Sequence, residues 1–184
     1  MPGLTAALMF EDLSLIETLA ASDCVAQILL VGSQQKSRPG LSGKAMAKAR
    51  FYQGDFFSGS SVAGLIQAVT TDHILLILPG QQVRPGQLFV ERFLSVAEDS
   101  GAGLVYSDFK DDLGESLSDH PLIDYQTGSI RDSFDFGSVM LISKRAADRS
   151  LRAHGAIDEK LRWAGLYDLR LKLSIDCQIT RIPE

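Results

Sequence analysis

Continuous apolar runs alternate along this chain with segments whose apolar residues recur at helical spacing. Residues 26–33 (AQILLVGS) and 73–80 (HILLILPG) each hold an unbroken apolar run closed by a turn signal, which is typical of strands buried on both faces of a parallel sheet. Residues 10–22 and 87–101 place their apolar side chains three or four positions apart, which predicts helices with one buried face. This alternation predicts an α/β fold with a mostly parallel central sheet flanked by helices.

The remaining segments continue the same alternation. Further strands are predicted at 49–54, 103–109, 138–144 and 177–183, and further helices at 58–69, 144–155 and 158–175. Residues 34–48 contain Pro39, Gly40 and Gly43 among polar residues, which predicts a surface loop. Residues 110–135 are rich in Asp, Gly and Ser and predict a long loop with one hairpin, and loops of this length are usually functional or mobile.

Composition and charge narrow the classes of function. The 184 residues are enough for one domain, and 45% hydrophobic with 22% charged residues is typical of a globular protein. The net charge of -5 provides no positive field for nucleic acid or an anionic membrane. No apolar run approaches the length of a membrane span, and no secretory signal precedes the first helix. Cys24 and Cys177 lie singly in apolar runs, which predicts free thiols and a cytoplasmic protein.

Three stretches, in order, resemble family 2 glycosyltransferases with the GT-A fold. They are residues 70–109, which end in the letters LVYSDF, residues 133–147, which hold SFDFGSVMLISKRAA, and residues 155–174, which hold GAIDEKLRWAGLYDLRLKLS. The resemblance implies a nucleotide-diphospho-sugar transferase-like fold with Rossmann-like character. It also implies a nucleotide-sugar as the ligand, for transfer to an acceptor that the sequence does not identify.

The chain departs from the family at the positions that perform chemistry. Gly32 and Ser33 stand where the family has an aspartate that contacts the nucleotide base, and Leu166 stands where it has the catalytic base. The family's DxD motif supplies carboxylates to a divalent cation, but this chain has PGQQ at residues 79–82. Neutral amide oxygens bind Mg²⁺ or Mn²⁺ more weakly than carboxylates do. We therefore expect no metal site there and no confidently assigned cofactor, so that Mg²⁺ or Mn²⁺ binds only if other acids supply ligands.

The resemblance also indicates which residues are candidates for the site. By position, Ser33, Gly80, Gln82 and Asp108 are the candidates for nucleotide-sugar binding. Asp168 is the candidate catalytic base, displaced by two positions from the family's own, although an acid on an amphipathic helix more often forms a structural pair. A carboxylate cluster of Asp108, Asp111 and Asp112 is a further candidate for a cation, with a solvated acidic turn as the alternative.

Two other segments allow more than one interpretation. The stretch from Gly128 to Ser138 mixes charged residues with Phe134 and Phe136, which suits a sugar-binding loop and an ion-paired loop equally. Trp163 lies in the predicted helix at 158–175 and is interpreted as a packing residue rather than as a platform for a ligand.

Two functions remain open at this stage. One is a glycosyltransferase-like domain that binds a nucleotide-sugar, and the other is a degenerate, non-catalytic interaction domain. The chain is predicted to be a single domain, residues 1–184, at the start of a longer protein, because the resemblance implies further elements after Arg181. A final strand without a covering element exposes its edge. A further domain or a second copy of the chain is therefore the expected partner of that edge.

Overall fold

The computed structural model describes residues 3–33, 40–114, 116–130 and 134–183, and within them it contains nine strands and six helices. The strands are β1 (Leu4–Met9), β2 (Val25–Gly32), β3 (Ala49–Gln53), β4 (His73–Ile77), β5 (Leu104–Ser107), β6 (Phe109–Asp112), β7 (Leu117–His120), β8 (Val139–Ser143) and β9 (Ile179–Ile182). The helices are α1 (Leu13–Ala21), α2 (Gly43–Lys48), α3 (Gly59–Ala68), α4 (Phe89–Ser100), α5 (Lys144–His154) and α6 (Gly165–Asp176). None of these helices is long and apolar enough to cross a membrane.

Seven of the strands form one sheet in the order β3-β2-β1-β4-β8-β5-β9. All of its strands run parallel except β8, which lies antiparallel between β4 and β5. The strands β6 and β7 form a separate antiparallel hairpin within the long loop that the sequence predicts. The predicted mostly parallel α/β sheet is therefore confirmed.

Side chains alternate between the two faces of the central strands, and each face is covered by helices. Ile28 and Leu30 of β2 pack on the side of α1, α2 and α4, whereas Leu29 and Val31 pack on the side of α3, α5 and α6. In β4, all four residues from Ile74 to Ile77 are buried. The two continuous apolar runs are thus buried on both faces, as the pattern predicts, because a parallel sheet carries helices on each side.

Short-range signals place most helix ends where the sequence predicts them. The side chain of Asp12 accepts a hydrogen bond from the backbone N–H of Leu15 and caps α1. Gly101 follows α4 with a φ of 66°, a left-handed conformation that glycine adopts without steric cost. Gly155 ends α5 with a φ of 89°. The predicted free thiols are also found, at Cys24 and Cys177.

Two sequence predictions about helices are wrong. The predicted loop at 34–48 contains α2, which begins because Ser42 accepts a hydrogen bond from the backbone N–H of Ala45 and is itself bound by Glu17 of α1. The last helix begins at Gly165 rather than at residue 158. The preceding residues turn instead, because the side chain of Asp158 binds the backbone N–H of Lys160.

Candidate functional site

The candidate site lies at one edge of the sheet, where the parallel strands end. The chain builds β1, β2 and β3 outward in one direction and then returns to place β4 on the other side of β1. The strand order therefore reverses between β1 and β4. Open α/β sheets bind ligands at such a reversal, at the carboxyl ends of the strands. The segments that leave β1, β2 and β4 all lie at this edge, which we call the carboxyl edge.

The loop that leaves β4, residues 78–88, carries two of the candidate residues. Gly80 and Gln82 are both exposed, and Gly80 has a φ of 111° that favours glycine. The loop is fixed to the start of β8, because Leu78 N–H donates to the carbonyl of Ser138 and the Ser138 hydroxyl donates to Oε1 of Gln81, each at 2.8 Å. Residues 80–82 therefore present neutral amides and backbone groups, whereas Arg84 of the same loop pairs with Asp112.

Ser33 lies at the end of β2, on the same edge. It is exposed, and the carbonyl of the preceding Gly32 accepts a hydrogen bond from Gly54 N–H at 3.0 Å. Residues 34–39, which follow Ser33, lie outside the described residues.

Asp55 organises the turn that leads from β3 into α3. Its Oδ1 accepts hydrogen bonds from the backbone N–H groups of Phe57 and Ser58, both at 2.6 Å, and its Oδ2 accepts from the Ser58 hydroxyl at 2.8 Å. Partial burial raises the pKa of Asp55, but these hydrogen bonds together outweigh it and lower the pKa below its ordinary value. The sequence-based predictions do not single out Asp55, although an aspartate just before a helical segment is a local signal for a turn.

The amino ends of α3 and α6 meet beside this turn. Gly59 N–H donates to the carbonyl of Leu161, and Gly165 N–H donates to the carbonyl of Phe57, each at 2.7 Å. A Cβ on Gly59 would lie 1.9 Å from the carbonyl oxygen of Asp158, and one on Gly165 would lie 2.7 Å from Cα of Gly59. Only glycine fits at this junction, which holds the first turn of α6 against α3.

Asp168, the candidate base, lies in that first turn. Its Oδ2 forms an ion pair with Lys172 one helical turn later, and Lys172 also donates to the carbonyl of Ala156 at 2.9 Å. The Asp168 side chain is 24% exposed. The candidate base is thus partly accessible and already paired with a cation.

Asp108, which follows β5, is almost fully buried. Its side chain is 6% exposed and accepts two hydrogen bonds from Arg181 of β9, at 2.9 and 2.8 Å, and a third from Leu122 N–H at 2.9 Å. Arg181 also donates to Asp124 at 2.6 Å, and the bonds to Asp124 and Asp108 raise its pKa. Asp108 therefore joins β5, β9 and the segment at 122–124.

The three clustered acids do not converge on one point. Asp111 pairs with His120 at 2.8 Å across the β6–β7 hairpin, and Asp112 pairs with Arg84 at 2.7 Å. Together with the Asp108–Arg181 pair, each carboxylate thus has a separate partner. Within the described ranges, no group of three or more His, Cys, Asp or Glu side chains is arranged to hold a metal ion.

A cluster of aromatic residues underlies the segment that precedes β8. The Tyr106 hydroxyl donates to the carbonyl of Ile123 at 2.6 Å and accepts from Tyr125 N–H at 2.9 Å, and burial raises its pKa. Phe136 contacts Tyr106 edge-on, with ring centroids 5.1 Å apart. The guanidinium of Arg170 lies 5.1 Å from the centroid of the Phe136 ring. Of the two phenylalanines noted in the sequence, Phe136 is therefore a core residue.

Trp163 does not pack inside a helix, so that interpretation is wrong. It precedes α6 and is 75% exposed. The turn at Asp158 moves it off the buried face that a continuous helix from residue 158 would have given it. Arg131 and Asp132, from the segment with the two phenylalanines, lie outside the described residues.

Neither a family model nor a curated protein matches the sequence. Solved structures do match the fold. 2-C-methyl-D-erythritol 4-phosphate cytidylyltransferase from Thermus thermophilus superposes with a TM-score of 0.56 at 15% identity, covering 100% of this chain and 89% of that one. CMP:2-keto-3-deoxy-manno-octonic acid synthetase complexed with CTP gives 0.54 at 12% identity, covering 99% and 89%.

A structure with a bound metal ion and nucleotide is among the similar structures as well. Glucosyl-3-phosphoglycerate synthase from Mycobacterium tuberculosis, in complex with Mn²⁺, uridine-diphosphate and glucosyl-3-phosphoglycerate, gives a TM-score of 0.52 at 14% identity, covering 98% of this chain and 69% of that one. At such identities the likeness shows the fold alone. This chain has the GT-A-like fold that nucleotidyltransferases and nucleotide-sugar transferases share.

Proposed function

We propose that this chain binds a nucleotide-diphospho-sugar at the carboxyl edge, as a domain of the family 2 glycosyltransferase type with degenerate catalytic motifs. The observation that carries the proposal is the loop at 78–88, which leaves β4 at the reversal of strand order and presents Gly80 and Gln82 to solvent. Solved structures with the same fold contain CTP or uridine-diphosphate. Ser33 supplies a further polar group on the same edge.

The proposed binding mode does not use a metal at the loop after β4. Residues 78–88 contain no carboxylate, and a divalent cation requires charged oxygen ligands to offset a diphosphate. Backbone N–H groups and the amide of Gln82 bind phosphate oxygens without a cation. Transfer by such a site is slow, because neither a metal nor a free base assists the leaving group and the acceptor.

The loop between β1 and α1 favours a diphosphate ligand over a triphosphate ligand. The loop that joins β1 to α1 contains Glu11 and Asp12, which repel additional phosphate charge. Two of the similar structures are nucleotidyltransferases, one of them with bound CTP. We therefore expect uridine- or guanosine-diphosphate to bind more tightly than CTP.

A non-catalytic interaction domain is the second candidate, and the ion pairs favour it. Asp168 pairs with Lys172, and Asp108 is buried against Arg181. Both candidate acids from the resemblance therefore form ion pairs that stabilise the fold. A domain that retains its scaffold in this way needs no turnover to be useful. A further domain or a second copy of the chain would then be its partner.

Calorimetry with UDP, GDP, their sugars and CTP, each with and without Mn²⁺, separates the two functions. The proposal expects saturable binding of one diphosphate nucleotide that does not depend on Mn²⁺. Gln82→Ala weakens that binding about tenfold, the effect of one lost charge-assisted hydrogen bond. The control Gln178→Ala, the same change at the opposite edge of the sheet, leaves it unaltered. If no nucleotide binds at millimolar concentration, the interaction domain is the better description.

A further inference from the structure

Arg170 is a half-buried arginine that forms no ion pair within the described residues and whose Nε is closed off from solvent. Its Nε is buried and has no hydrogen-bond partner among the described residues. No carboxylate in the described part of the chain forms an ion pair with it, whereas Lys172, two residues later on the same helix, has Asp168. A buried donor that loses its water and gains no partner destabilises the folded state. Such a group in a native structure therefore calls for an explanation.

The contacts around Arg170 hold it in place without neutralising its charge. Its guanidinium lies 5.1 Å from the ring centroid of Phe136, which is 1% exposed. The aromatic face attracts the cation but accepts no hydrogen bond in the plane of the guanidinium. Asp135 is close enough to act electrostatically, yet its Oδ1 accepts from Gly137 N–H at 2.7 Å and completes its own turn. The guanidinium therefore keeps its charge, and the part of it that still reaches the surface can donate to a ligand.

The electrostatic environment is consistent with this arrangement. Burial lowers the pKa of Arg170 below its ordinary value, and Tyr167 and Asp135 act in the opposite direction. The side chain as a whole is half-buried, so part of it still reaches the surface. A guanidinium remains charged under these conditions, because its ordinary pKa is far above neutrality.

Arg170 is also connected to the candidate site. Phe136 is two residues before Ser138, whose hydroxyl and carbonyl hold the loop after β4. Asp168 is two residues before Arg170 on α6, in the turn that is fixed against α3. Through its contact with Phe136, Arg170 therefore lies close in the fold to the segment that fixes the loop after β4.

We propose that Arg170 is an oxyanion receptor that binds a phosphate or carboxylate group of a ligand at this edge. A planar guanidinium with free donors matches two oxygens of one such group, and the desolvated setting strengthens that contact. The oxyanion belongs either to the diphosphate of the nucleotide or to an anionic second substrate. This inference rests on the proposed function for the ligand's identity, but the receptor itself stands on the geometry of Arg170.

The test uses two variants. Arg170→Met keeps an unbranched apolar side chain over Phe136, and Arg170→Lys keeps the charge without the paired donors of a planar guanidinium. Arg145→Met is the matched control, because Arg145 is an exposed arginine at the start of α5, at the opposite edge of the sheet. Calorimetry measures UDP in one arm and inorganic phosphate in the presence of saturating UDP in the other. The Nε–H signal of Arg170 in the wild-type protein reports a ligand at the guanidinium, even if a variant fails to fold.

The expected result is at least tenfold weaker binding in one arm for Arg170→Met, an intermediate loss for Arg170→Lys and no loss for Arg145→Met. Loss in the UDP arm assigns the oxyanion to the nucleotide, and loss in the phosphate arm alone assigns it to a second substrate. If phosphate shifts the Nε–H signal although no nucleotide binds, the receptor stands and the proposed function fails. Equal affinities in all variants with an unmoved Nε–H signal, or no binding of either probe, overturn the inference.

Discussion

Arg181 of β9 and Asp108, which follows β5, form an ion pair that joins the ends of these two adjacent strands. Nη1 of Arg181 donates to both carboxylate oxygens of Asp108, at 2.9 and 2.8 Å. The pair closes the carboxyl edge of the sheet on the side of β5 and β9. The pair also fixes the segment at 122–124. Arg181 donates to Asp124, and Asp108 accepts from the backbone N–H of Leu122.

We predict that Arg181→Met destabilises the protein by about 3 kcal/mol, because it removes the cation that pairs with the 6%-exposed carboxylate of Asp108. Urea unfolding measures the loss. Arg84→Met is the control, since its pair with Asp112 is exposed on both sides and is worth less than about 1 kcal/mol. Equal losses in the two variants would show that burial does not set the strength of the Asp108 pair.

Gly59→Ala should destabilise the protein by about 2–3 kcal/mol, because the new Cβ meets the backbone of Asp158 and forces α3 away from the segment before α6. Gly43→Ala is the control at a helical position with open space around it, and it should be neutral or slightly stabilising. Thermal unfolding of both variants provides the measurement. A Gly59→Ala protein as stable as the wild type would contradict the close junction.

His73 should make the protein less stable on acidification. Burial lowers its pKa, against the opposing charges of Asp72 and Glu98, and its Nδ1 is buried without a partner among the described residues. A histidine whose folded-state pKa is depressed contributes stability above its ordinary value of 6.5, and that stability is lost as the pH falls through the lower folded value. Unfolding of the wild type and of His73→Gln between pH 7.5 and 5 tests this. The wild type should lose more stability over that range, and parallel curves would refute the assignment.

Asp168 is predicted to act mainly as the partner of Lys172. Asp168→Asn and Lys172→Met should each cost no more than about 1 kcal/mol, and the double variant should show a coupling of about 0.5 kcal/mol. Nucleotide affinity stays unchanged in both. If turnover is detected and Asp168→Asn abolishes it with stability and affinity intact, while Lys172→Met retains it, Asp168 is instead the catalytic base.

No divalent cation should bind at residues 79–82 at millimolar concentration, because this stretch offers no carboxylate. Electron paramagnetic resonance of Mn²⁺ with the wild type, alone and with UDP, measures free and bound metal. The expected spectrum is that of free Mn²⁺ without UDP and, with UDP, the same spectrum that UDP and Mn²⁺ give in the absence of the protein. Tight Mn²⁺ binding that disappears in Gln82→Ala would refute this prediction.

The sequence by itself determined most elements of the fold, because their signals are local. Burial on both faces appears as an unbroken apolar run at residues 73–80, and a helix end appears as a glycine such as Gly101. The sequence also shows directly that the loop after β4 has PGQQ at residues 79–82 and no carboxylates. These features required no knowledge of which segments meet.

Tertiary structure decided what depends on contacts between distant segments. Asp108 and Arg181 are 73 residues apart, so no local pattern shows that Asp108 is buried in an ion pair rather than open to a ligand. Trp163 became exposed and α6 started late because the turn at Asp158 interrupted an otherwise helical pattern. Arg170 looks like an ordinary helical cation in the sequence. Only packing against Phe136 buries its Nε without a partner among the described residues, because long-range packing rather than hydrophobic period determines which polar atoms are left unpaired.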